Sequence, residues 1–416
     1  MTMTMHRLTI LGWAAALLAL TLSCNKTPDV PDPEDGLPPF PKANQEIDGV
    51  PLTRAEQAFV QAGNTFAWKL TKKVWDEGDK KSLIISPLSV QYALGMLGNG
   101  ADAATAAQIA EVLGYEGTEA INEFCAKLIE TLPQVDTSVT LALADGVLVN
   151  DRFSLKAPFK SAVESYYDAL VESMSFSDPQ AVMKYVNDWC EKHTYGRIKD
   201  VLQDVNAAAL MYIMNAIFFH ADWTTAFDKA ATRNEKFRNL AGTTAQVGMM
   251  HQTLDARYGE NDFGQAVTLP YGNGKFILTV YLPKKDDGLA SLPDREQLPQ
   301  LMQTCHVNLS LPRFESETTV DMKELLVDMG IPVGPYTELV ENDTAAISKV
   351  IHKANITVNE TGIEAAAVTV IEMKETSAGP GSEPRTVTFT ADHPFLYTIA
   401  EITSGAILFT GLYNGG

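Results

Sequence analysis

Residues 209–223, ALMYIMNAIFFHADW, are apolar at almost every position and do not alternate with polar residues. A strand with one face in water alternates, so a continuous run of this kind predicts a strand covered on both faces. Such a strand needs a layer of structure on each side. The flanking sequence supplies the material. Residues 53–76 read as an amphipathic helix carrying Phe59, Phe66, Trp68 and Leu70. SPLSVQYALGMLGNGA (86–101) places Pro87 just inside a helix start, followed by a helix of small residues able to pack closely. ATAAQIAEVLGY (104–115) is a further helix closed by Gly114, and NDWCEKHTYGRIKDVL (187–202) reads as helical until Gly196. KFILTVYLPKK (275–285), HVNLSLPRF (306–314) and AILFTGLY (406–413) alternate or run apolar and end at turn residues, as strands do. Helices dominate the first half and strands the second, which predicts an α+β arrangement around large sheets.

The chain of 416 residues is 45% hydrophobic and 20% charged, enough to bury a large core. It carries 52 acids against 32 bases, a formal charge of −20, without a Lys/Arg-rich stripe. That excludes a nucleic-acid partner, because phosphate binding needs clustered bases. The cysteines, Cys24, Cys125, Cys190 and Cys305, form no CxxC and no His-Cys ligand spacing. They predict buried free thiols and no zinc site.

The N-terminus reads as a targeting segment. His6 and Arg7 precede an apolar run, Leu8 to Leu22, too short for a comfortable membrane span, so residues 1–23 are expected to be a signal peptide. The run closes with LTLSC, which resembles the lipobox of bacterial lipoprotein precursors and makes Cys24 the expected lipidation site. Ordinary cleavage nearby is the alternative. Residues 27–49 hold six prolines among Asp and Glu, the composition of an extended tether. The expected organisation is a lipidated Cys and tether over 24–50 and one folded domain over 51–416, anchored to a bacterial envelope rather than spanning a membrane.

Enzyme signatures are absent: no GxSxG elbow, HExxH, P-loop or GxGxxG after a strand occurs. The seven histidines are scattered, none at metal-binding spacing. No catalytic residue, cofactor or metal is expected.

NETGIEAAAVTVIEMKETSAGPGSEPRTVTF (359–389) holds an unusual transition. From Ile363 to Thr376 it contains neither Pro nor Gly, as a central strand requires, and then it passes into Ser, Gly and Pro. With a two-residue period, Ile363, Ala365, Ala367, Thr369, Ile371 and Met373 share one face. All charges through Lys374 fall on the other.

Five stretches in order resemble the serpin family, over nearly all of residues 53–416. They are 84–114; 187–202; MNAIFFHADWTTAFDKAATRNEKF (214–237), with Trp223, Phe227, Thr232 and Phe237; ISKVIHKANITVNETGIEAAAVTV (347–370); and TFTADHPFLYTI (388–399). The resemblance implies a single domain of about nine helices and three sheets, with an exposed reactive loop before the last strands. It implies a suicide inhibitor of proteases: the loop is cut, an acyl-enzyme forms, and the freed loop inserts into the main sheet. The partner would be a target protease, of serine type, held in a covalent 1:1 complex with a monomeric inhibitor.

Carried over by residue, the resemblance makes Glu360, Gly362, Ile363, Glu364, Ala365, Ala366 and Ala367 the hinge. Ile363 stands where the family usually has Thr, Ser or Val. The scissile bond of the family lies about seventeen residues from the hinge Glu, which gives Thr376–Ser377, with Lys374–Glu375 the alternative. A small β-branched residue at the cut suits an elastase-like protease. Ser86, Ser89, Asn215 and His352 match the shutter, a polar cluster beneath the main sheet, and Trp223 matches the breach at its top. A non-inhibitory binding or chaperone-like member of the same fold is the second expectation, motivated by Ile363 and a long loop.

Overall fold

The computed structural model describes residues 45–284, 289–301, 303–341, 345–347, 349–363 and 384–415. Its helices are α1 Arg54–Glu77, α2 Pro87–Gly98, α3 Ala103–Leu113, α4 Thr118–Thr131, α5 Ala157–Tyr167, α6 Pro179–His193 and α7 Lys323–Asp328. The first strands are β1 Leu83–Ile85, β2 Thr140–Asn150, β3 Leu170–Met174, β4 Met211–Asp222 and β5 Arg233–Arg238. Then come β6 Thr244–Glu260, β7 Gly264–Tyr271, β8 Phe276–Pro283, β9 Gln303–Pro312 and β10 Phe314–Asp321. The last are β11 Ile351–Val358, β12 Gly362–Ile363, β13 Thr386–Thr390, β14 Phe395–Glu401 and β15 Ile407–Tyr413.

The local chemistry of the helix ends explains their bounds. Thr53 caps α1 through a reciprocal pair with Glu56, and Asp102 caps α3 by accepting from the Thr105 amide. Gly114 closes α3 in the left-handed conformation. Helix α6 stops at His193, three residues before Gly196, because Tyr195 already has φ +52° and Gly196 follows at +82°. Seven α-helices and three short 3₁₀ turns lie among the described residues, fewer than the nine that the resemblance implies. Pro332, Gly334 and Pro335 interrupt the stretch after α7, where missing amide donors forbid a continuous helix.

Three sheets are formed. The largest runs β1-β15-β14-β8-β7-β6-β9-β13, with β5 beside β6; the others are β12-β4-β2-β3 and the pair β10-β11. The apolar run of 211–222 is indeed covered on both faces. Ile217, Phe219 and Ala221 enter the main core, while Met214 and Ala216 enter a second core with Trp189 and Cys190 of α6. Cys125, Cys190 and Cys305 are buried free thiols.

Residues 46–50, the end of the expected tether, lie against the body. The Ile47 amide donates to Gln134 O, Asn273 Nδ2 to Glu46 and Lys275 Nζ to Asp48.

Candidate functional site

β4 and β11 face each other across a seam. β4 pairs with β2 along its length, and β11 pairs with β10. Among the described residues no strand pairing joins β4 to β11. Two cavities follow one another along this seam. One of about 160 Å³ lies beside the first halves of both strands and is lined by Leu94, Leu97, Cys190, Met214, Ile347 and His352 among others. The other, of about 40 Å³, lies higher, between Ile217 and Phe219 on one side and Asn355 and Ile356 on the other. Protein interiors are normally packed without such voids, so among the described residues the two strands are separated by space rather than packed against each other.

At the top of the seam the chain turns back after β11. Asn359 Oδ1 accepts from the amides of Thr361 (2.9 Å) and Gly362 (3.2 Å), which shapes the turn. The Asn359 amide donates to Gly362 O at 3.0 Å, closing a hairpin. β12 then pairs antiparallel with the end of β4, Gly362 opposite Asp222 and Ile363 opposite Ala221. Gly362 has φ +149°, and a Cβ there would stand 2.2 Å from Ala221 O, so only glycine fits.

Glu360 is held below this turn, 4% exposed. Thr232 Oγ1 donates to it at 2.7 Å, Arg313 Nε lies 3.6 Å away, and its carbonyl accepts from the Phe227 amide at 2.8 Å. Trp223, expected at the breach, binds the same turn. Its indole N–H donates to Asn359 O and its amide to Thr361 O, both at 2.8 Å, and its ring stacks on Tyr271 at 4.3 Å. The spaced residues Trp223, Phe227 and Thr232 thus meet on Asn359–Thr361.

Lower down, the structure brings Ser86, Ser89, Asn215 and His352 into one network. The Ser86 amide donates to His352 Nε2 at 3.1 Å, and Ser86 Oγ donates to Leu408 O and accepts from the Ser89 amide, so it also caps α2. Ser89 Oγ bonds to Asn215 Oδ1. His352 is therefore a neutral acceptor, and burial pushes its pKa down to about 4. The network spans both banks of the seam through α2.

Sequence reasoning missed Asp145 on β2, which lies opposite Asn215 and accepts from its Nδ2 at 2.6 Å. The signal was available as a lone acid inside the apolar stretch TLALADGVLVN. Of the remaining expected residues, Ile363 is described by its backbone alone. Cys24, Glu364, Ala365, Ala366, Ala367, Lys374, Glu375, Thr376 and Ser377 lie outside the described residues.

Comparison with known proteins identifies the family. The family model described as Serpin (serine protease inhibitor) matches residues 61–414. An uncharacterised serpin-like protein of Thermococcus kodakarensis is 32% identical over 368 residues, 86% of this chain and 85% of that protein. Among solved structures, Arabidopsis AtSerpin1 in its native stressed conformation superposes with TM-score 0.76 at 25% identity, covering 88% of this chain and 99% of that one. Human thyroxine-binding globulin complexed with its hormone gives TM-score 0.75 at 26% identity, covering 86% and 98%. The family model covers most of the chain, so the chain belongs to the serpin family, whose members are generally protease inhibitors rather than enzymes.

Proposed function

We propose that this protein is a suicide-substrate inhibitor of an elastase-like serine protease, and that it stores its inhibitory strand outside the sheet. The observation that carries the reading is the register of β12 at the head of an unfilled seam. Continued from Ile363 opposite Ala221, the next core-facing residues meet a matching row: Ala365 opposite Phe219, Ala367 opposite Ile217, Thr369 opposite Asn215 and Ile371 opposite Ile213. The hairpin closed by Asn359 and Gly362 gives the same faces on the other bank, with Ala365 beside Ile356 and Thr369 beside His352. Small residues then fall beside the smaller, upper cavity, and Thr369 falls beside Asn215 and His352, which border the seam. Residues 363–373 span roughly 36 Å as a strand, about the length of β4.

In this reading a protease attacks Thr376–Ser377, with Lys374–Glu375 as the alternative bond. The serine hydroxyl adds to the carbonyl, the amine product departs, and an ester joins protease to inhibitor. Insertion drags the ester-linked protease across the molecule before water completes hydrolysis. Each residue by which the cut moves toward the hinge shortens the strand by about 3.3 Å and weakens the trap. A lipid on Cys24 holds the monomeric inhibitor at the bacterial outer membrane, facing the periplasm or the cell surface, within reach of envelope or extracellular proteases.

The test is a denaturing gel after mixing the protein with a panel of serine proteases. A band at the summed mass with the elastase-like enzymes supports trapping. Cleaved inhibitor with fully active protease across the panel refutes it. The second reading, a binding protein of the same fold, draws on Ile363 at the point of insertion and on the likeness to a hormone-binding globulin. It is favoured if loop cleavage leaves the thermal transition unmoved.

A further inference from the structure

Asp145 is an anomaly beneath the seam. It sits on the core face of β2 at 4% exposure, and only Oδ1 has a partner, the Asn215 amide; Oδ2 is buried without one. A buried carboxylate satisfied on one oxygen is costly, and a cost carried in the native state is relieved by any motion that lets water in. Beyond the Asn215 hydrogen bond, which favours the ionised form, no neighbouring charge compensates. The titratable groups acting on it or facing it are Tyr92 from α2, Cys125 from α4, Tyr167 from α5 and Asp168 at the end of that helix. None is a cation, and the Asp168 charge opposes ionisation further. Burial and that neighbour push the Asp145 carboxyl up to about 7, so its proton is exchanged near neutrality.

Its position makes the proton consequential. Asp145, Asn215 and, on insertion, Thr369 and His352 form one cross-strand row, and Asn215 is also bonded to Ser89 of the helix over which the strands must slide.

We propose that Asp145 is a proton-controlled latch on the seam: protonated, it holds β2 and β4 closed over α2, and ionised, it drives the seam toward opening. The proposal rests on the reading of the β4–β11 seam as the slot for the loop. The sign follows from linkage. A carboxyl whose native midpoint lies above its unfolded or opened value favours the closed state at low pH and loses that contribution as pH rises through the native midpoint. Opening is favoured about tenfold more per pH unit from roughly 4, the ordinary carboxyl value, up to about 7, and the effect is then constant at about a thousandfold relative to an uncharged residue. Two histidines act in the opposite sense. His220 and His352 are both held near 4 by burial, so they favour the closed state as pH rises from about 4 to 6.5. The Asp145 contribution is therefore read as a difference between wild type and Asp145→Asn at one pH, where the histidines cancel.

The experiment needs no protease. Amide hydrogen exchange of β4 is followed in the uncut full-length protein and in Asp145→Asn, side by side at pH 5.5 and pH 8. The expected result is that wild-type opening already exceeds that of Asp145→Asn at pH 5.5 and that the ratio grows about thirtyfold further by pH 8. Equal opening at both pH values, or the same ratio at both, overturns the latch and makes Asp145 merely structural. If Asp145→Asn does not fold, isotope-edited infrared of the wild type decides. A protonated-carboxyl band at pH 6 that vanishes by pH 8 supports the latch, and its absence at pH 6 overturns it. A latch that passes while protease trapping fails would sink the inhibitor reading alone.

Discussion

Gly362 is the residue on which the turn into the seam depends. Its backbone lies where a side chain is excluded, with Ala221 O 2.2 Å from the position a Cβ would take. Gly362→Ala is expected to cost about 1–3 kcal/mol of native-state stability, measured by urea unfolding, because backbone or strand must shift to admit the methyl. His352 acts at the same scale with a different consequence. Its folded pKa near 4 lies below the ordinary histidine value, so the unfolded chain binds the proton first. The stability tied to neutral His352 is complete above about 6.5 and is lost as pH falls toward 4, roughly 3 kcal/mol in all. Replacing His352 with Gln should remove that acid slope from a stability-against-pH series; an unchanged slope would place the titration elsewhere. The resemblance put His352 in a polar cluster, and the structure names its donor, the Ser86 amide.

At the scale of elements, the pairing of β12 with β4 makes a claim about faces. Ala367 would meet Ile217, a residue of the main core, whereas Glu364 belongs to the opposite face. Ala367→Glu should abolish covalent complex formation and turn the protein into an ordinary substrate, while Glu364→Ala should leave the yield of complex unchanged. Val368→Pro should also abolish it, since proline removes a ladder donor from a central strand. Complex formation by Ala367→Glu would mean that insertion follows another register or does not occur. The elements themselves were largely legible. The helix over 53–76 appears as Arg54–Glu77, and the apolar run appears as β4, because caps and periodicity act locally. The early stop of α6 was not legible, since it depends on Tyr195 taking a left-handed conformation that a tyrosine rarely adopts alone.

For the whole molecule, the cavities between β4 and β11 among the described residues are the feature on which the proposed inhibitor reading turns. Cleaving the loop with any protease that nicks near Thr376 should raise the thermal transition sharply, because the inserted strand fills the cavities and pairs two facing strands. The buried, unpaired Cys125, Cys190 and Cys305 set a companion expectation. Reductant should leave that transition unmoved, and thiol reagents should label these cysteines only on unfolding.

The sequence alone determined the covered strand, the α+β class, the Pro-free alternating segment after Gly362 and the residues that resemble a serpin's hinge, breach and shutter. The first three are matters of local composition or period, which neighbours in the chain dictate, and the last comes from the resemblance to the family. Only the tertiary structure decided that β4 and β11 stand apart over two cavities, that Ile363 sets the register against Ala221, and that Asp145 lies opposite Asn215. Those facts depend on strands brought together from positions 145, 215 and 352, and a gap between two strands leaves no trace in the sequence of either.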